Sequence, residues 1–218
     1  MLKFYYNQVS LNTRRVWVAL LEKQIQFQPL EVNLNGEQFS QEFTEINPLQ
    51  QIPVIEDNEL RVIDSLAILD YLEAKYPHPS LIPVKPVAIA MVRMVEMITV
   101  NELQPAMLPF TRQLLGLDVE PDKLNAAHHR VMTVIQMFEN FLDGKRYFVD
   151  DKITLADIVA GTLVPSLALF GFALEPYPHL KTWLEHLNLR ASWQQTTPKP
   201  EVIEAALPAI RKILERRS

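Results

Sequence analysis

Pro77, Pro79, Pro83 and Pro86 fall within ten residues. Each lacks a backbone N–H and fixes φ, so neither a helix interior nor a central strand tolerates that density. Residues 78–86 therefore read as an extended linker between a domain at 1–77 and another at 87–218. A chain of 218 residues with 48% hydrophobic content has enough apolar surface to fill two modest cores.

The two sides carry different periodicities. In the first, Lys3–Tyr6 and Gln26–Val32 are β-prone runs, and between them Val16, Ala19, Leu20 and Lys23 follow helical spacing. A polar, helix-compatible stretch at 36–46 comes next. Pro53-Val54-Ile55 and Leu60–Ile63 then predict two strands around the turn Glu56-Asp57-Asn58-Glu59. Leu66, Leu69, Leu72 and Tyr76 predict a closing amphipathic helix, giving the order βαβαββα. Beyond residue 87 the patterns are helical, near 87–114, 121–142, 154–172, 177–188 and 201–216. The fold class expected is an α/β domain followed by an all-helical bundle.

Composition removes several functions. The chain has no cysteine, so it can supply neither a disulfide nor a thiol of its own to chemistry. A net charge of −5 with 22% charged residues offers no general attraction for nucleic acid or an anionic membrane. The polar start MLKFYYNQVSLNTRRV lacks the run of a secretory signal, and a cytoplasmic location is expected. The uncharged stretch Ile158–Leu174 is 17 residues long, but Gly161, Thr162, Pro165, Ser166 and Gly171 interrupt it, so it reads as a buried core helix. The five histidines, at 78, 128, 129, 179 and 186, form no ligand set with acidic residues, and no metal is expected.

Chemistry concentrates in two places. Pro53 opens an apolar strand where its missing N–H implies an edge or a turn, and a cis Ile52–Pro53 bond would turn the backbone of Ile52 outward to an extended peptide. Asp64-Ser65 stands where a strand gives way to a helix. There the Ser65 hydroxyl and free helix-start N–H groups can receive a carboxylate, while Asp64 can hold an ammonium. Together they suit both charged groups of a γ-glutamyl head and the backbone that follows it.

Ser10-Leu-Asn-Thr-Arg-Arg-Val, Asn47-Pro-x-x-x-Ile-Pro-Val-Ile and Asp64-Ser-x-Ala-Ile-Leu-x-Tyr-Leu resemble, in order and spacing, the three N-terminal motifs of the cytosolic glutathione transferases. Ile153-Thr-Leu-Ala-Asp157 is similar to that family's buried capping box and hydrophobic staple, with Thr154 as N-cap, so the resemblance spans both domains. It implies a thioredoxin-like first domain, glutathione as co-substrate, a homodimer with residues 87–113 as a candidate face, and conjugation of the thiolate to small hydrophobic electrophiles. The serine-type motif is nearest to bacterial classes, the cyanobacterial chi class among them. A non-catalytic binding module, and a glutathione-dependent isomerase, dehalogenase or peroxidase, are alternatives on the same fold.

Residue by residue, the resemblance makes Ser10 the donor to glutathione's sulfur, at a helix start that lowers a thiol pKa from its usual value of about 8.5. Ser10 can equally cap that helix. Tyr5 matches the first-strand tyrosine that other classes use; strand alternation sends Tyr5 and Tyr6 to opposite faces. Arg14, like Arg15, would favour a thiolate by Coulomb attraction. Gln51, Ile52, Pro53, Asp64 and Ser65 would bind glutathione, with Gln38 as donor to its glycine carboxylate. Phe39, where relatives carry basic or amide side chains, and Gln50, where many carry glycine, depart from the pattern. Val9, Leu11, Met97, Asn101 and Met107 are the residues expected to line an electrophile pocket, Met97 and Met107 belonging to a cluster with Met91 and Met94.

Overall fold

The computed structural model describes residues 1–216. Contacts divide the chain into two compact units: Met1–Ser80 with the segment from Ser192 onward, and Leu81–Ala191.

The first unit is built on a four-stranded sheet of order β2-β1-β3-β4: β1 (Leu2–Tyr6), β2 (Phe27–Glu31), β3 (Val54–Asp57) and β4 (Leu60–Ile63). β1 and β2 are parallel, as the intervening helix α1 (Leu11–Glu22) requires, whereas β1–β3 and β3–β4 are antiparallel. The β3–β4 turn is tighter than the sequence predicts: Asp57 still pairs with Leu60, and Asn58 takes a left-handed φ of 56°.

Val16, Ala19, Leu20 and Lys23 are all buried as their spacing predicts, and the ammonium of Lys23 is matched by Glu73 at 2.5 Å and the Pro79 carbonyl at 2.8 Å. On α3 (Ser65–Lys75) the buried stripe is Ser65, Ile68, Leu69 and Leu72, so Ile68 rather than Leu66 faces the core. The opposite face of the sheet is covered by α2 (Gln41–Ile46), whose Phe43 packs with Val32, Val54, Tyr5, Ile46, Ile52 and Ile63. Strand alternation divides the tyrosines as expected. Tyr5 meets Phe43 edge-on at 6.2 Å, and Tyr6 meets Trp17 of α1 at 5.1 Å.

The second unit holds α4 (Pro86–Ile98), α5 (Gln104–Leu114), α6 (Pro121–Leu142), α7 (Leu155–Leu163) and α8 (Pro178–Asn188). α4 packs on α7, and α6 on both α5 and α8, around Val92, Val95, Val131, Ile135, Phe138 and Trp183. Two predicted helices are broken. The helix at 87–114 widens to π geometry over Thr99–Leu103, because Pro105 cannot donate to the Asn101 carbonyl one turn back and its ring crowds it; Pro109 is carried inside α5. The helix at 154–172 is α-helical only to Leu163 and tightens to a 3₁₀ segment, Val164–Phe170, with Pro165 at its start and Gly171 left-handed at φ 80° beyond it. Every residue of α7 is buried, as expected for the uncharged stretch. Among the described residues no helix is long and apolar enough to cross a membrane.

The remaining helices are α9 (Ala191–Thr196), too short to leave a periodic signal, and α10 (Pro200–Arg216). The sequence pattern groups these residues with the helical domain, whereas contacts group the chain from Ser192 onward with the first unit. The Ser192 hydroxyl donates to Glu22, and Arg14 donates to Thr196 and Thr197.

Candidate active site

Asn7 organises the turn between β1 and α1. Its amide donates to the Val32 carbonyl at 2.9 Å, its oxygen accepts from Val9 N at 3.1 Å, and its carbonyl accepts from Ser10 N at 3.2 Å. Nothing in the resemblance singled out Asn7, although an Asn three residues before a helix N-cap is a recognisable turn signal. Ser10 then takes the N-cap, with extended φ and ψ of −81° and 116°, and its Oγ accepts from Thr13 N at 3.3 Å. Capping uses the hydroxyl as an acceptor, so its one proton is still available to donate.

Ser10 lines a cavity of about 180 Å³ together with Asn12, Leu34, Gln38, Phe39, Gln50, Gln51, Ile52 and Ile213. Four of the residues expected from sequence, Ser10, Gln38, Gln51 and Ile52, are thus brought together. Asn12, Leu34 and Ile213 were not foreseen. The wall at 47–52 is shaped by Asn47, whose side chain donates to the Gln51 carbonyl at 2.7 Å and accepts from Leu49 N at 3.0 Å. The Ile52–Pro53 peptide is cis. Gln50 has a left-handed φ of 56°, a conformation in which glycine carries no Cβ penalty; its side chain donates to Thr44 Oγ1 at 3.1 Å.

Gln38 is buried, with one Nε2–H donating to the Leu34 carbonyl at 3.2 Å and Oε1 left without a partner. That bond fixes which end of the amide is which, since an oxygen could not face the carbonyl. An orphaned buried acceptor costs about 1–3 kcal/mol, and a ligand N–H would offset it.

Val54 pairs with Ile63, so Pro53 and Asp64 lie one step beyond the paired ends of β3 and β4. Asp64 is the N-cap of α3, its Oδ1 accepting from Leu66 N at 2.9 Å and Ala67 N at 3.4 Å. Its φ of 70° with ψ of 129° is rare for a residue with a Cβ, a strain of order 1–3 kcal/mol of the sort that gathers where ligands bind. The first-turn N–H groups expected to receive a carboxylate are therefore partly taken by Asp64 itself. Buried Ser65 accepts from Arg15 Nη1 at 3.4 Å through its Oγ, which keeps its own proton to donate.

Arg14 turns away from the cavity lining: its Nη2 donates to Thr197 Oγ1 at 2.7 Å and its Nε to Thr196 Oγ1 at 3.4 Å. Burial lowers its pKa to about 10, which leaves it charged at neutrality. Val9 and Leu11 are half-buried on either side of Ser10. Within the second unit Met97 is 42% exposed and receives the Asn101 amide at 3.8 Å on its sulfur, whereas Met107 is buried.

Comparison with known proteins agrees with this architecture. Residues 4–80 match the glutathione S-transferase N-terminal domain model and residues 98–191 the C-terminal domain model. The chain belongs to the glutathione S-transferase family. Among its relatives are glutathione S-transferase 1 of Dianthus caryophyllus, 30% identical over 90% of this chain and 93% of that one, and maleylacetoacetate isomerase of Rattus norvegicus, 30% identical over 80% of each. A solved holo structure of maleyl pyruvate isomerase, a bacterial zeta-class glutathione S-transferase, superposes with a TM-score of 0.78 at 26% identity, covering 91% of this chain and 99% of the other. As a glutathione S-transferase, the chain has the family's thioredoxin-like sheet and helical second domain; Ser10, Asn47–Pro53 and Asp64–Ser65 fall at the ends of β1, α2 and β4, and of these Ser10 and Gln50–Ile52 line the cavity, whereas Pro53, Asp64 and Ser65 are not among its lining residues.

Proposed function

We propose that this enzyme binds glutathione extended along residues 50–53 and adds its thiolate to small apolar electrophiles. One observation carries the reading: Ser10, with a proton free to donate at the start of α1, shares a cavity with the Gln50–Ile52 wall and with Gln38. The backbone of Ile52, preceding cis Pro53, is suited to pair with the cysteinyl residue, and the Gln51 amide to a neighbouring carbonyl. The outer oxygen of Asp64 is suited to the γ-glutamyl ammonium and the Ser65 hydroxyl to its carboxylate. A thiolate beside Ser10 gains a hydrogen bond and the partial positive charge of the helix start, to which buried Arg14 adds a fixed cation.

Glutathione-dependent cis–trans isomerisation is a second reading, favoured by the isomerase names among the relatives. It shares the first step. The thiolate adds to a conjugated double bond, the resulting single bond rotates, and glutathione leaves as the double bond re-forms, so glutathione is returned unchanged. In conjugation the new C–S bond stays and a leaving group or proton transfer completes the balance.

Retention on immobilised glutathione, followed by parallel assays with an aryl halide and with a maleyl-type cis substrate, separates the possibilities. Turnover of the halide with loss of free thiol supports conjugation; turnover of the cis substrate with no loss supports isomerisation. Retention with neither leaves a binding module, and no retention with no turnover defeats the proposal. A homodimer is proposed as well, through the 87–113 region where Met94, Met97 and Leu108 are exposed; light scattering after size exclusion reads the mass.

A further inference from the structure

The ligand proposed above ends in a second carboxylate, that of its glycine, and the cavity wall nearest the family's usual donors is poorly equipped for it. Position 39 is Phe, and Gln38 spends an N–H on Leu34 while its Oε1 is an acceptor, which repels a carboxylate. A cation is nevertheless present. The guanidinium of Arg216, in the last turn of α10, lies 4.5 Å from the centre of the Phe39 ring. Ile213, one turn earlier on the same helix face, lines the cavity itself, so Arg216 stands at its edge.

The contact with the ring fixes the position of the charge without consuming it. A guanidinium over an aromatic face uses none of its five N–H donors, and its planar fork matches a carboxylate in two-point geometry. Among the described residues no ion pair holds Arg216. Phe39, a departure when read as a failed donor, is then the platform for a donor supplied by a residue 177 positions further along the chain.

Resting on the glutathione reading, we propose that Arg216 of α10, seated over Phe39, is the residue that recognises the glycine carboxylate of glutathione, replacing the basic side chain that relatives carry near position 39. The α10 helix is thereby part of the binding site, and discrimination between the free acid and its neutral derivatives is written into the C-terminal end of the chain.

The test compares the dissociation constants of glutathione and of glutathione glycine monoethyl ester, in which only this carboxylate is neutralised, for the unmodified enzyme, Arg216→Gln, and Arg216→Gln combined with Phe39→Lys. The expected results are a preference of the unmodified enzyme for the acid of about 3- to 10-fold, as suits one exposed charge-assisted contact, loss of that preference in Arg216→Gln with ester affinity unchanged, and its return when Lys occupies position 39. Equal binding of the acid by Arg216→Gln and the unmodified enzyme, or a parallel loss of acid and ester, overturns the assignment of Arg216 while leaving the site intact. Binding of neither compound by the unmodified enzyme overturns the glutathione reading and this inference with it.

Discussion

The helix starts of the two units treat their capping groups in opposite ways. In the first unit Ser10 and Asp64 cap α1 and α3 with part of their capacity and keep the rest: a hydroxyl proton at Ser10 and a carboxylate oxygen at Asp64, which is exposed and strained. In the second unit Thr154 caps α7 and Asp157 closes the capping box, fully buried. Its Oδ1 accepts from Phe148 N and Trp183 Nε1, both at 3.0 Å, and its Oδ2 from Thr154 N at 2.8 Å and Thr154 Oγ1 at 2.9 Å. A cap with nothing left over stabilises a fold. A cap with spare hydrogen-bonding capacity can also bind, as proposed for Ser10, which lines the cavity, and for Asp64, whose positive φ a structural cap would not need.

Breaking the closed cap has the largest expected effect. Asp157→Ala leaves four buried donors without an acceptor and removes the contact that ties α7 to α8, so a loss of about 3–5 kcal/mol is expected in denaturant unfolding. A loss under about 1 kcal/mol would show that the box is ornamental to this fold. Next, Ser10→Ala is expected to reduce glutathione-dependent turnover by about 10²-fold and to raise the apparent thiol pKa in the pH–rate profile, with a cap loss of about 1 kcal/mol. If Tyr5→Phe proves the more damaging change in the same assay, the thiol's partner is Tyr5, despite its seat against Phe43.

Asp64→Asn sharpens the contrast further. Asparagine tolerates positive φ and keeps an acceptor for Leu66 N, so the melting temperature should move by no more than about 2 °C while glutathione affinity falls about tenfold with the lost charge. Stability falling as far as in Asp157→Ala, with affinity unchanged, would make Asp64 a structural cap and erase the difference between the two units.

The smallest effect concerns a carboxylate with no place in either class. Asp57 is held below its ordinary pKa of 3.8 chiefly by hydrogen bonding to Lys75 and then to Tyr71. A depressed folded-state pKa means that the unfolded chain binds the proton more readily, so this stability is complete above pH 3.8 and is lost as pH falls through the lower folded value. Asp57→Asn should therefore flatten the acid limb of the stability profile without altering glutathione binding at neutrality. An unchanged acid limb would assign the loss to other carboxylates.

Much of this was legible because it is local. The proline run, the strand patterns and the Thr154–Asp157 spacing each depend on neighbours within a few residues. The same is true of Ser10 and Asp64, whose places at a strand-to-helix change can be read from a short window. Where local reading fails, the cause is also local but subtler: Pro105 and Pro165 change helix type without ending the helical path. Gln38 lines the cavity as its position suggests, but only the folded loop shows that one of its two N–H groups meets the Leu34 carbonyl.

By itself, then, the sequence determined the order and kind of the elements, the residues at each helix start, and the family. Tertiary structure alone decided that the chain from Ser192 onward completes the first unit, that Ile213 closes the cavity wall, and that Arg216 meets Phe39. The reason is that an amphipathic pattern specifies an apolar stripe but carries no mark of what will cover it, and contacts between residues far apart in the chain are selected by packing rather than by any periodicity.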